Sequence, residues 1–170
     1  MKKIFSTLKN LTVNLTWKMV RALLSKPQLI LPTAWATIQS IVYSENYFYE
    51  AHGGRGIANA FRHAAWNLLI AKNASFYTNE QKAVEWAKFI TDMHEECFPN
   101  EAFDNQMDLH NNRIGREVYL ELRAKDMKTT KEMMQFLKEK SKSGVGLTDE
   151  SEFANHPNEM VYYLENKSKG

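Results

Sequence analysis

A single cysteine, Cys97, is all the thiol chemistry the 170-residue chain contains, which excludes an intramolecular disulfide and any zinc cluster built on thiolates. Lying between Glu96 and Phe98, it reads as a buried thiol at a helix end and not as a nucleophile. Glycine (7) and proline (4) are scarce, so nothing in the composition points to a low-complexity or fibrous chain. Long apolar runs are missing too. Lys9, Lys18, Arg21 and Lys26 interrupt every early window long enough to span a bilayer. Lys2 and Lys3 imitate the start of a signal peptide, but Lys9 and Asn10 cut the apolar stretch short and no small-x-small cleavage site follows promptly. The expectation is a protein that is cytoplasmic as made and leaves the cell, if at all, by a specialised secretion system.

Acid is absent from the first 44 residues, where Lys2, Lys3, Lys9, Lys18, Arg21 and Lys26 give a charge of +6; the remainder must then carry −4 to reach the net +2. Such a segment suits a membrane or envelope surface, or else forms a docking helix with a solvated basic face. The aromatic group Tyr43, Tyr47, Phe48 and Tyr49 has no accompanying basic stripe, so nucleic-acid binding is not expected.

What is present is helical periodicity. Ile4, Leu8, Leu11, Leu15, Met19 and Leu23 predict a first helix over about 3–25. Pro27 and Pro32 bracket a break, and further helices are predicted over about 33–50, 57–72, from Thr78 to near Cys97, 103–124 and 129–142. Thr78 to Gln81 has capping-box spacing for the fourth of these. HGGRG (52–56) and Ser143-Gly144-Val145-Gly146 read as loops, and a short last helix is predicted around 157–166, with Pro157 in its first turn. No period-two run is long enough for a strand. The chain is thus expected to be an all-α single-domain bundle of about six to seven helices, with residues 1–50 as basic N-terminal helices packing on a core of 51–170.

Polar groups stand where such a bundle should be apolar. In NAFRHAAW (59–66), Asn59, Arg62, His63 and Trp66 share one helix face, and Ala64 and Ala65 leave room for a neighbouring helix. DMHEE (92–96) puts Asp92 and Glu95 three apart on either side of His94, without the second histidine of a HExxH zinc motif. In MDLHNNRIGR (107–116) and just before it, Asp104, Asp108, Asn111, Asn112, Gly115 and Arg116 fall at offsets 0, 4, 7, 8, 11 and 12. Two asparagines and a glycine are poor helix formers, and conflict between local preference and fold tends to mark functional positions. Convergence of His63, Glu95 and Asp108 would give an acid–base set or a metal site; imidazole and carboxylates without thiolate suit zinc, manganese or magnesium. Arg62, Asn111, Asn112 and Arg116 would bind an anionic substrate group. A buried polar network fixing helix packing, with Gly115 permitting close approach, is the competing reading. HGGRG could offer a helix N-terminus and Arg55 to an anion, but a plain loop is the simpler account.

The ordered set Arg62-His63, His94-Glu95 and Asp108, Asn111, Asn112, Gly115, Arg116 resembles a small helical bacterial domain of unknown function. That domain occurs alone or at the C-terminus of polymorphic toxins, including those with RHS repeats. The resemblance covers about residues 53–120, with Ala64 standing where members often carry cysteine. It implies a free-standing toxin or secreted effector, with a cognate immunity protein as partner, and supplies no reaction. Joined to the residue chemistry, it gives the expectation of a small hydrolase, metal-assisted or metal-free, acting on a phosphoester or other ester-like bond. The alternative is a non-catalytic binding or membrane-active protein working through its basic N-terminal helix.

Overall fold

The computed structural model describes residues 17–49, 55–98 and 100–164. Its elements are α1 (Trp17–Ser25), a 3-10 turn (Pro27–Leu29), α2 (Ile30–Tyr47), α3 (Ile57–Ala74), α4 (Glu80–Cys97), α5 (Ala102–Ala124), α6 (Thr130–Ser141), β1 (Val145–Leu147), a second 3-10 segment (Glu150–Asn155) and β2 (Val161–Tyr163). The expected all-α bundle is what forms. Residues 3–16 of the predicted 3–25 helix and residues 52–54 of HGGRG lie outside the described residues.

The bundle is organised around α3, which packs against α2, α4, α5 and α6. Ala60, Phe61, Ala64, Ala65, Leu68, Leu69, Ile70, Ala71 and Ala74 are fully buried along it, so this helix is apolar on nearly every side, as a central helix must be. Its alanines let neighbours approach. The closest approach is at Gly115 of α5, where an added Cβ would lie 2.0 Å from the Ala64 carbonyl oxygen. Side-chain hydrogen bonds fix the outer helices: Trp86 Nε1 donates to Thr33 Oγ1 (3.0 Å) and Asn73 Nδ2 to Gln39 Oε1 (3.0 Å).

Four local expectations are corrected. The second helix starts at Ile30, not near Thr33; Pro32 falls in its first turn, where a missing N–H costs no intrahelical bond. The cap of α4 is Asn79, whose side chain accepts from Lys82 N, so Thr78 is one residue too early. Of the predicted helix at 157–166, the described residues 157–164 are not helical. Val161, Tyr162 and Tyr163 pair in parallel with Val145, Gly146 and Leu147, so part of the predicted 143–146 loop is strand as well. β-branched and aromatic residues favour that extended state, and the side chain of Asn111 holds both the N–H (3.1 Å) and C=O (2.8 Å) of Val161. A capping box opens α6, with Thr129 and Glu132 bonded reciprocally.

Among the described residues, no helix is long and apolar enough to cross a membrane. Exposed apolar side chains include Leu24, Leu31 and Trp35, at 62%, 79% and 56% exposure.

Candidate active site

The close crossing at Gly115 and Ala64 brings the polar faces of α3 and α5 together, and α4 closes the third side. His63, Glu95 and Asp108 converge there, one from each helix and all buried. His63 Nε2 lies 3.3 Å from Asp108 Oδ1, and His63 Nδ1 lies 3.7 Å from Glu95 Oε1. One ligand atom from each residue can be chosen so that all three lie within 4.8 Å of one another. Asparagines hold both carboxylates: Asn59 Nδ2 donates to Asp108 Oδ1 (2.9 Å) and Asn112 Nδ2 to Glu95 Oε1 (3.3 Å).

Behind this centre is a buried relay that the sequence reading missed. Asn67 Nδ2 donates to Asn112 Oδ1 (2.7 Å) and to the His63 carbonyl (3.2 Å), while its Oδ1 accepts from Thr91 Oγ1 (3.1 Å) and Arg116 Nη1 (2.7 Å). A fully buried asparagine with this many bonds fixes the relative positions of α3, α4 and α5. The signal was available, because Asn67 sits four residues past His63 and eight past Asn59 on the same face.

The other predicted residues are distributed as follows. Arg62 is exposed at the rim, with Nη2 donating to Asn59 Oδ1. Arg116 is buried and joined to the centre through Asn67. Asn112 contacts Glu95, whereas Asn111 faces away to clamp β2. Asp92 pairs with Lys88. Arg55 is committed to the carboxylates of Asp104 (2.7 Å) and Glu101 and lies over the Tyr163 ring, so its guanidinium is already engaged.

Two clefts reach the centre. One, of about 140 Å³, is lined by Thr37, Ser40, Ile41, Arg62, His63, Trp66 and His94; cavities of this size admit a benzene-sized group. Trp66 is held in its wall by a bond to Thr37 Oγ1 (2.9 Å), and the His94 ring sits edge-on to Trp66 at 5.2 Å. The other, of about 600 Å³, is more charged, with Lys88, Asp92, Glu95, Arg113 and Arg116 among its walls.

Burial sets the electrostatics. It pushes Glu95 up to about 8, with help from the charge of Asp108 and against the Asn112 hydrogen bond. Burial also pushes Asp108 up to about 6, opposed by Asn59 and Arg62. His63 is brought down to about 3 by burial and by Arg62 and His94, and His94 to about 4 by burial and Arg62. At neutral pH both imidazoles are therefore neutral, Asp108 is ionised, and Glu95 is mostly protonated when no cation is bound.

A stability consequence follows for the metal-free protein. An acid whose folded pKa exceeds its unfolded value favours folding most at low pH and loses that contribution as pH rises toward the folded value. For Glu95 the interval runs from its ordinary 4.5 to about 8. With chelator present, Glu95→Gln should match wild type near pH 4 and exceed it by about 4 kcal/mol at pH 8.5, at roughly 1.4 kcal/mol per pH unit. Urea unfolding at both pH values measures this; a variant less stable than wild type at pH 8.5 contradicts it.

The chain matches a known family. The family model described as Domain of unknown function (DUF6973) matches residues 20–145, from within α1 to the first residue of β1. No curated protein and no solved structure matches the chain.

Proposed function

The chain belongs to the DUF6973 family, a domain of unknown function, and from its site we propose a small hydrolase that acts on a phosphoester or other ester-like bond and serves as a bacterial toxin or secreted effector. One observation carries the catalytic reading: three titratable side chains from three helices meet, buried, where His63 lines one cleft and Glu95 another. Titratable groups perturbed by burial and by one another, and lying in a cleft, are candidates for chemistry.

In the proposed reaction, water oxygen bonds to the electrophilic phosphorus or carbonyl carbon and the ester oxygen leaves. The ionised Asp108 carboxylate takes the proton released by water and passes it on to the departing oxygen, so the centre ends as it began. Arg62 at the rim offers its guanidinium to an anionic substrate oxygen, and Arg116 does so from the wider cleft. Asn112 and Asn59 keep the two carboxylates in place. The reading expects a substrate in the membrane or cell envelope, a delivery route outside the general one, and a cognate immunity protein.

A second reading draws on the exposed Leu24, Leu31 and Trp35 within the acid-free segment: a membrane-active protein in which the polar cluster is structural. Inducible expression in a bacterium, directed separately to cytoplasm and periplasm, separates the two. Growth arrest by wild type but by neither His63→Ala nor Asp108→Asn, at matched soluble levels, supports the hydrolase. Equal arrest by all three overturns it in favour of the membrane-active protein.

A further inference from the structure

We propose that His63, Glu95 and Asp108 hold a single divalent metal ion, a first-row cation such as Zn²⁺ or Mn²⁺. The inference rests on the hydrolytic reading for the use of the ion, but not for its binding.

The donor set is one imidazole and two carboxylates, all buried, with candidate ligand atoms within 4.8 Å of one another. The independent observation is His63 Nδ1. It is buried and has no hydrogen-bond partner, yet it faces Glu95 Oε1 at 3.7 Å. That separation is too long for a hydrogen bond. A neutral imidazole carries a single N–H; with it on Nε2, toward Asp108, Nδ1 presents a lone pair to a carboxylate oxygen. A cation set in that gap would take the imidazole lone pair and the deprotonated Glu95 oxygen together as ligands. Atoms each about 2.1 Å from a tetrahedral ion lie roughly 3.4 Å apart, so the observed gap is close to a ligand–ligand edge.

The surroundings are those of a supported metal site. Asn59 and Asn112 donate to the carboxylate oxygens, which orients them and favours their anionic form. Asn67 then ties Asn112 to Arg116 and Thr91, so the ligand-bearing helices cannot easily shift. Three protein donors leave a coordination position for water, the pattern of a catalytic site and not of a closed structural one. The cleft at His63 gives that position a way out to solvent. One nitrogen among the donors favours zinc or manganese over magnesium, which prefers an all-oxygen shell.

The test is calorimetric titration of chelator-treated full-length protein with Zn²⁺, Mn²⁺ and Mg²⁺, with thermal unfolding measured alongside. The expected result is one Zn²⁺ or Mn²⁺ per chain, a raised melting temperature, and binding at least about 100-fold weaker in Glu95→Gln and Asp108→Asn. Asn112→Ala should weaken binding by about 10- to 100-fold, and Asp92→Asn, in the outer cleft, should leave it unchanged. Should the ligand variants fail to fold, Co²⁺ bound to wild type reports instead, by visible bands that mark nitrogen–oxygen coordination. No binding at millimolar metal, or binding that persists in folded ligand variants, overturns the proposal. Metal binding without hydrolysis would remove the hydrolase reading and leave this inference standing; hydrolysis at full rate in chelator would do the reverse.

Discussion

Gly115→Ala should destabilise the protein by about 3 kcal/mol, lowering its melting temperature by roughly 6–12 °C for a chain of this size. Two effects of opposite sign compete. Alanine is intrinsically better than glycine in a helix interior by about 1 kcal/mol, so at a solvated position the change would stabilise. At Gly115 the new Cβ would lie 2.0 Å from the Ala64 carbonyl oxygen and 2.7 Å from its carbonyl carbon. Both atoms are backbone within the central helix, so relief requires α5 to move away from α3. Because His63 and Asn67 sit on one side of that crossing and Asn112 and Arg116 on the other, the movement also opens the network. A thermal melt is sufficient: an unchanged or higher melting temperature would mean that the helices do not cross as closely as described.

The second large effect is expected at Asn67. Asn67→Ala should cost about 3–5 kcal/mol, because it strands the buried Arg116 guanidinium and removes partners from Asn112 and Thr91 at once. The loss should exceed that for an isolated buried hydrogen bond, about 1 kcal/mol. Combining Asn67→Ala with Arg116→Met should recover part of it, since the stranded charge is then gone. Urea unfolding of both single variants and the double variant gives the coupling. Strict additivity would show that the two side chains do not act as a unit.

The helices were legible in the sequence because each carries an apolar stripe at helical spacing and most are bounded by a cap or a proline. The start of α6 was readable to within a residue, at Thr129 or Thr130, and Gly115 announced a close crossing by its place in an otherwise polar face. The C-terminal segment was misread for a physical reason. Three residues, Val161 to Tyr163, are too few for a period to register, and they are held extended by a strand and by Asn111, both distant in sequence. The same distance effect limited the site reading. The stripe on α5 placed Asp108, Asn111, Asn112 and Arg116 on one broad arc, but consecutive residues are 100° apart on a helix. Asn112 therefore turns to Glu95 while Asn111 turns to β2. Arg55 looked available to an anion because its partners, Glu101 and Asp104, lie 46 and 49 residues away. The convergence of His63, Glu95 and Asp108, by contrast, could be proposed from motif chemistry alone, since each is the acid or imidazole on the inward face of its own helix.

The competing account of this centre, a polar network that only fixes helix packing, makes the same demands on Asn67 and Gly115. It differs in what it expects of Asp108. A purely structural carboxylate, pushed up by burial, would be replaced by asparagine at little cost or even with gain, and nothing catalytic would be lost. A catalytic one gives a stable, inactive protein.

The most direct measurement is therefore hydrolysis by purified wild type and purified Asp108→Asn, against a panel of chromogenic phosphodiester, phosphomonoester and carboxyl-ester substrates, with Zn²⁺ or Mn²⁺ added. The account predicts that wild type cleaves at least one class and that Asp108→Asn, equally folded by circular dichroism, is slower by about 1,000-fold or more, the scale on which a lost proton acceptor acts. Equal rates from the two proteins, or no cleavage of any class by wild type with metal bound, would contradict it.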